Sequence, residues 1–228
     1  MANVLVEESS LVAIANAIRT KNGSTTSYKP SEMAGAIDSI ETGGVDLLEK
    51  VLTNTLTEYS NDTLTSVKPY TFRNATKLKT LNLPNVTSIG TQSFHTCTGL
   101  TSVDFPNLTT LEAYGFTGCT GLTSVNFPRL TYLQASCLQS CTSLEVVDFA
   151  KVNQIGNLVF DGCTNLKKVI LRYDGVCKLS NKAAFTNMPV AQGTGYIYIP
   201  DNLVESYKVA QNWSNYANQF KGLSELNE

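Results

Sequence analysis

Phe72, Phe94, Phe116, Leu138 and Phe160 stand at a strict interval of 22 residues. Three positions after each come Ala75, Cys97, Cys119, Cys141 and Cys163, each followed by a threonine (Thr76, Thr98, Thr120, Thr142, Thr164). Leu78, Leu100, Leu122, Leu144 and Leu166 follow, and then an apolar-x-apolar pair: Leu81/Leu83, Val103/Phe105, Val125/Phe127, Val147/Phe149 and Val169/Leu171. Proline closes the pair in the first three units (Pro84, Pro106, Pro128). The units end on Val86, Leu108, Leu130 and Val152, then on Ile89, Leu111, Leu133 and Ile155. Half a unit precedes them, since Leu64-Thr65-Ser66-Val67 matches Val86-Thr87-Ser88-Ile89. A coil of this length cannot hide its apolar side alone. Stacked on copies of itself, it pairs its short strand in parallel with the next, about 4.8 Å away, and closes a continuous core. The period therefore dictates a solenoid.

Strand side chains alternate, so Leu81 and Leu83 share one direction and Asn82 between them faces outward. A proline after the strand lacks a donor and helps to end the pairing. The segment Leu78 to Leu83 reads L-x-x-L-x-L, the leucine-rich-repeat signature, and 22 residues lies within that repeat's range of about 20–29. The cysteines occupy one small slot per coil, and Ala75 fills the same slot in the first unit, which points to packing volume. Metal sites favour pairs at C-x₂₋₄-C spacing together with histidine. Cys137 and Cys141 are that close, but no second pair or histidine joins them, so no metal ligand is assigned. Neighbouring slots fall within nominal disulfide range, which leaves cross-linking under oxidation open. The threonine columns, including Thr65, Thr87, Thr109 and Thr131, sit beside turns, where hydroxyls bond to backbone groups that corners leave unmatched.

The ends differ in kind. Ser9-Ser10 followed by Leu11, Ile14, Ala15 and Ile18 reads as a short amphipathic helix stopped at Lys21-Asn22-Gly23. A second begins near Pro30-Ser31 and carries Met33, Ala34, Ile37 and Ile40; Thr42-Gly43-Gly44 follows as a linker. Such short helices are marginal alone and need a partner surface. Beyond Leu171 the repeat loosens. Arg172-Tyr173-Asp174-Gly175 replaces the proline turn, and Phe185-Thr186-Asn187-Met188 is a decayed copy of the repeat opening. Tyr196-Ile197-Tyr198-Ile199-Pro200 reads as a final strand. Asp201 is placed to cap a helix bearing Val204, Tyr207 and Val209/Ala210, and Trp213, Tyr216, Ala217 and Phe220 continue a helical stripe. This aromatic segment is expected to cover the open end of the solenoid.

The fold class is thus α/β: a leucine-rich-repeat solenoid of five 22-residue repeats with short parallel strands, a small N-terminal helical module and a C-terminal strand-helix cap. The expected divisions are residues 1–44 for the module, 45–190 for the solenoid and 191–228 for the cap. With 17 Lys+Arg against 19 Asp+Glu, the net charge of −2 removes the electrostatic case for nucleic-acid or polybasic membrane-surface binding. No apolar run approaches the roughly 18 residues of a membrane span. The start has neither a basic region nor an apolar core of a secretory signal. The expected location is therefore cytoplasmic at synthesis, with an extracellular role reached in a virion or by a non-classical route.

The units Phe94-His95-Thr96-Cys97-Thr98-Gly99-Leu100-Thr101-Ser102-Val103-Asp104-Phe105-Pro106 and Phe116 to Pro128 resemble the BspA-type leucine-rich repeats of bacterial surface proteins. The stretch from Tyr196 through Tyr207 to Trp213, Ser214 and Tyr216 resembles the C-terminal segment such proteins often carry. The resemblance spans about residues 60–226 and implies a right-handed solenoid and, for some members, adhesion to host proteins or other cells. Residues 1–44 resemble, more weakly, a helix–loop–helix at the start of phage and prophage tail-associated proteins. The matching stretches are Ala13 to Arg19 with Lys21-Asn22-Gly23, and Pro30 to Met33 with Ala36 to Ile40.

For an enzyme the chain offers little. Its one histidine, His95, falls at a variable position shared with Arg73, Thr117, Gln139 and Asp161, and reads as exposed. No nucleophile elbow, P-loop, metal motif or dinucleotide fingerprint is present. Asp104 and Asp148, two coils apart, stand roughly 9.6 Å from each other by strand spacing. That nominally suits an inverting glycosidase, but a strand face offers no obvious cleft. No catalytic residue and no cofactor is assigned. The outward strand positions form a polar ladder of Thr80, Asn82, Ser102, Asp104, Ser124, Asn126 and Asp148, flanked by Lys79, Glu145, Lys167 and Lys168. Small amides and hydroxyls suit a protein edge or a glycan, although aromatic anchors are missing and the nearest, Tyr114 and Tyr132, sit at corners. The reading is a non-enzymatic, adhesin-like binding protein of bacterial or prophage origin with a protein or glycan partner. The alternative is a structural spacer or tail-associated virion component, docked and oligomerised through residues 1–44.

Overall fold

The computed structural model describes residues 50, 51 and 54–227 of the 228-residue chain. The expected helix–loop–helix of residues 1–44 lies outside the described residues. Two strands recur in each coil. The longer ones are β1 (Glu58–Ser60), β3 (Thr80–Asn82), β5 (Ser102–Asp104), β7 (Ser124–Asn126), β9 (Val146–Phe149) and β11 (Lys168–Leu171). The shorter ones are β2 (Ser66–Val67), β4 (Ser88–Ile89), β6 (Thr110–Leu111), β8 (Tyr132–Leu133), β10 (Gln154–Ile155) and β12 (Lys178–Leu179). Every pairing is parallel and joins like positions of successive coils: Leu81 lies opposite Tyr59, Val125 opposite Val103, and Val169 opposite Val147. The solenoid therefore starts one strand earlier than the half unit at Leu64, because β1 already pairs with β3.

The third side of each coil carries the Phe-x-x-Cys turn. It has no strand, yet its backbone still bonds from coil to coil: the Phe72, Phe94 and Phe116 N–H groups donate to the carbonyls of Ser93, Gly115 and Cys137 at 2.8, 2.8 and 2.9 Å. Two residues per coil bend the chain through the left-handed region. One column is Tyr70, Gln92, Tyr114, Ser136 and Leu158; the other is Asn74, Thr96, Gly118, Ser140 and Gly162.

Inside, Phe72, Phe94 and Phe116 stack face to face at 5.1 and 4.9 Å, and all the cysteines are buried and reduced. The slot does more than hold volume. The thiols of Cys97, Cys119, Cys141 and Cys163 donate to the carbonyls of Phe72, Phe94, Phe116 and Leu138 in the preceding coil at 3.0, 3.0, 3.3 and 3.1 Å. Desolvation pushes the Cys163 thiol up to about 12 and raises the other three further. These are inert, protonated groups. Some of the threonine columns act as expected: the Thr87 and Thr109 hydroxyls donate to the carbonyls of Thr65 and Thr87, both at 3.1 Å.

The C-terminal segment caps the stack with a different secondary structure from the one read in the sequence. β13 (Tyr196–Ile199) joins β11, but it is not the last strand, because β14 (Phe220–Gly222) pairs with it in parallel. Phe220 thus belongs to a strand and not to a helical stripe. α1 spans only Val204–Val209, and residues Trp213–Gln219 form a kinked 3-10 segment entered through left-handed Asn212. Val209 is 82% exposed, so Ala210 alone of that pair packs inward. Asp201 lies within a 3-10 turn and makes no cap; its carboxylate accepts from the Ser224 hydroxyl instead. The cap's polar aromatic tips serve the last coil. Tyr207 Oη accepts from the Cys177 N–H at 2.8 Å, and Trp213 Nε1 donates to the Cys177 carbonyl at 2.5 Å.

Candidate binding face

Parallel pairing lines up alternate residues of the longer strands, β13 and β14 in two columns. The first contains Glu58 and Thr80, Ser102 and Ser124, then Val146, Lys168 and Tyr196. The second contains Ser60 and Asn82, Asp104 and Asn126, then Asp148, Ile170, Tyr198 and Lys221, of which Ile170 and Tyr198 are buried. All seven residues singled out in the sequence (Thr80, Asn82, Ser102, Asp104, Ser124, Asn126 and Asp148) are exposed in these columns.

Four of them, Asn82, Asp104, Asn126 and Asp148, are tied sideways. Asn82 Nδ2 donates to Ser60 Oγ at 3.2 Å, and Asn126 Nδ2 donates to Asp104 Oδ1 at 2.8 Å. Arg172 grips Asp148 with two nitrogens, Nε to Oδ1 at 2.8 Å and Nη2 to Oδ2 at 2.7 Å. Hydrogen bonding to Asp148 raises the guanidinium pKa further above its ordinary value. Side chains locked in this way lose little freedom when a partner arrives. They are also poorly placed for glycoside chemistry, since both Asp148 oxygens and one Asp104 oxygen are committed to neighbours.

Sequence reasoning missed the apolar end of the same face. Val146 is 42% exposed and Tyr196 38%, with Lys168 between them in register. Lys221 Nζ sits 4.7 Å from the Tyr196 ring centre, and Lys168 Nζ sits 5.7 Å from that of Tyr198. The face therefore has an exposed aromatic residue after all, Tyr196, and Lys168 stands within a column and does not flank it. The chain hides this register: Lys168 faces Tyr196, an offset of 28 residues (196 − 168) and not 22. His95 is likewise corrected. It is half-buried at the turn side, away from the strand face.

Among the described residues no group of three or more His, Cys, Asp or Glu is placed to hold a metal ion, and no helix is long and apolar enough to cross a membrane. Residues 59–191 match the family described as BspA type Leucine rich repeat region, in six copies. No curated protein matches the chain. Among solved structures, a leucine rich cell surface protein from Faecalibacterium prausnitzii A2-165 is 17% identical with a TM-score of 0.34, over 75% of this chain and 62% of that one. A leucine-rich repeat protein from Bacteroides ovatus ATCC 8483 is 17% identical with a TM-score of 0.28, over 64% of this chain and 56% of that one. The chain thus spans about three fifths of the length of these structures.

Proposed function

The chain belongs to the BspA-type leucine-rich-repeat family, and on that premise we propose that it is a non-enzymatic, adhesin-like module that holds a protein partner across the outward face of its longer strands. The observation that supports this reading is the run Val146, Lys168 and Tyr196, in register with Val146 and Tyr196 exposed and Lys168 half-buried between them, beside a ladder of small polar groups. Partner surfaces concentrate affinity in a few aromatic and cationic anchors ringed by near-neutral contacts, and this face has that composition. Such a role sets the working protein outside the cell, on a surface or a virion. The spacer and tail-associated alternative rests on residues 1–44, and nothing among the described residues favours it.

The test is binding of the fluorescently labelled full chain to cultured epithelial cells and to bacterial cells, read by flow cytometry. Tyr196→Ala is expected to weaken binding at least tenfold, the loss of one anchor, and Asp104→Lys is expected to weaken it less. Protease treatment of the cells removes the signal. Equal binding by the variants, or a signal that survives protease but not glycosidase, sinks the proposal.

A further inference from the structure

The turn that follows each longer strand holds Pro84, Pro106 and Pro128 in three coils, and then Ala150 and Arg172 in the next two. Where the proline rings are lost, a groove of about 390 Å³ opens, lined by Thr131, Lys151, Asn153, Arg172, Tyr173 and Asp174 as well as Ala150. Its volume lies at the lower end of the usual range for small-ligand pockets, about 300–1,000 Å³. The repeat's own packing needs do not account for these side chains. In the threonine column, Thr87 and Thr109 donate to the coil before, whereas the Thr131 hydroxyl and the Asn153 side-chain amide make no hydrogen bond among the described residues. The Tyr173 ring lies against Gly175: a Cβ on that glycine would lie 2.9 Å from Tyr173 Cε1.

The charges around the groove cancel. Lys151 and Arg172 face Asp174 and Asp148, and Arg172 already gives Nε and Nη2 to Asp148. A simple ion of either sign therefore gains little. A ligand that brings hydroxyl donors and acceptors together with an apolar ring face uses every group present: Asp174 accepts, Lys151 and the remaining Arg172 nitrogen donate, Thr131 and Asn153 do both, and the Tyr173 ring covers C–H bonds. We propose that this corner groove binds a neutral saccharide of one or two pyranose units. Arg172 joins the groove to Asp148 of the strand face, but Tyr173 and Asp174 lie outside the face columns, so their variants test the groove apart from the face.

The test is saturation-transfer NMR of the full chain with maltose, lactose and N,N′-diacetylchitobiose at millimolar concentration, with sodium sulfate as the ionic competitor. At least one disaccharide is expected to bind, and equimolar sulfate is expected to leave it in place. Tyr173→Ala and Asp174→Asn should each weaken binding tenfold or more while their thermal melts stay at the parent value; Asp104→Lys should change nothing. Silence from all three sugars, displacement by sulfate, or parent-like binding by both groove variants overturns the assignment.

Discussion

The regular coils between Phe72 and Leu171 and the segment from Arg172 onward bury aromatic rings in opposite ways. In the coils each ring is the previous one moved along the axis, so Phe94 and Phe116 lie 4.9 Å apart and only 2° from parallel. In the cap the rings turn edge-on: Tyr207 to Trp213 at 66°, Trp213 to Phe220 at 64°, Phe185 to Tyr216 at 75°. A stack that continues matches its backbone groups with the next coil. A stack that stops must match them with side chains, and here Tyr207, Trp213 and Tyr216 bond to the backbone of Cys177 and Lys182. Repetition stabilises the middle and side-chain chemistry closes the end.

Alkali has the largest expected effect and strikes both regions, since Cys177 and Tyr207 lie beyond Arg172. The Cys163 and Cys177 thiols are pushed up to about 12 from an ordinary 9.0, and the other four move the same way, with burial the main cause throughout. A raised folded-state value means that the fold prefers the neutral thiol. The stabilisation is then whole below about pH 9 and is lost as pH climbs through 12, by up to tenfold in the folding equilibrium per unit for each thiol. Complete unfolding by about pH 11 is the expected result in far-UV circular dichroism, with Cys119→Ala shifting the midpoint upward. A signal that stays flat to pH 12 refutes the ladder's role.

Phe116→Ala is next in size. It removes a ring stacked on Phe94 at 4.9 Å and on Phe127 at 5.8 Å and should cost about 3–5 kcal/mol in urea unfolding. The chain's one tryptophan, Trp213, lies in the cap. In the Phe116→Ala variant its fluorescence should melt at a higher urea concentration than the dichroism of the coils, because in a nearest-neighbour array the loss falls on the coils that touch residue 116. Coincident transitions would show that the cap and coils act as one unit. Trp213→Phe keeps an apolar ring but removes the donor to the Cys177 carbonyl, a loss of about 1–3 kcal/mol and faster labelling of the Cys177 thiol.

What could be read in advance follows the same division. Phe94, Cys97, Leu100, Val103 and Phe105 recur 22 residues later, and a period is visible because each coil obeys the same packing demand. The exposed alternates Asn82, Asp104 and Asn126 followed directly from strand alternation. The cap obeys no period. Phe220 looked helical because aromatic spacing alone does not separate a kinked 3-10 turn ending in a strand from a continuous helix. Tyr196 was missed as the next member of the column after Lys168 because the offset there is 28 and not 22. The groove beside Tyr173 was visible only as a failed proline turn.

Left-handed corners show the contrast on its smallest scale. In the less regular C-terminal region these positions hold Asn187 and Asn212, whose short side chains tolerate positive φ, whereas one column of the coils holds Tyr70, Gln92, Tyr114, Ser136 and Leu158. Nothing in those residue types announces a bend, yet the translation of the coil imposes it at every copy. Strain of this kind should be relieved one site at a time. Gln92, at φ 56°, makes no side-chain hydrogen bond among the described residues, so Gln92→Asn changes little besides the backbone preference. It should raise stability by roughly 0.5 kcal/mol, while β-branched Gln92→Val at the same position should lower it by about 1–2 kcal/mol. Thermal melts of the pair, read together, isolate the backbone contribution, because a packing effect would give both variants the same sign.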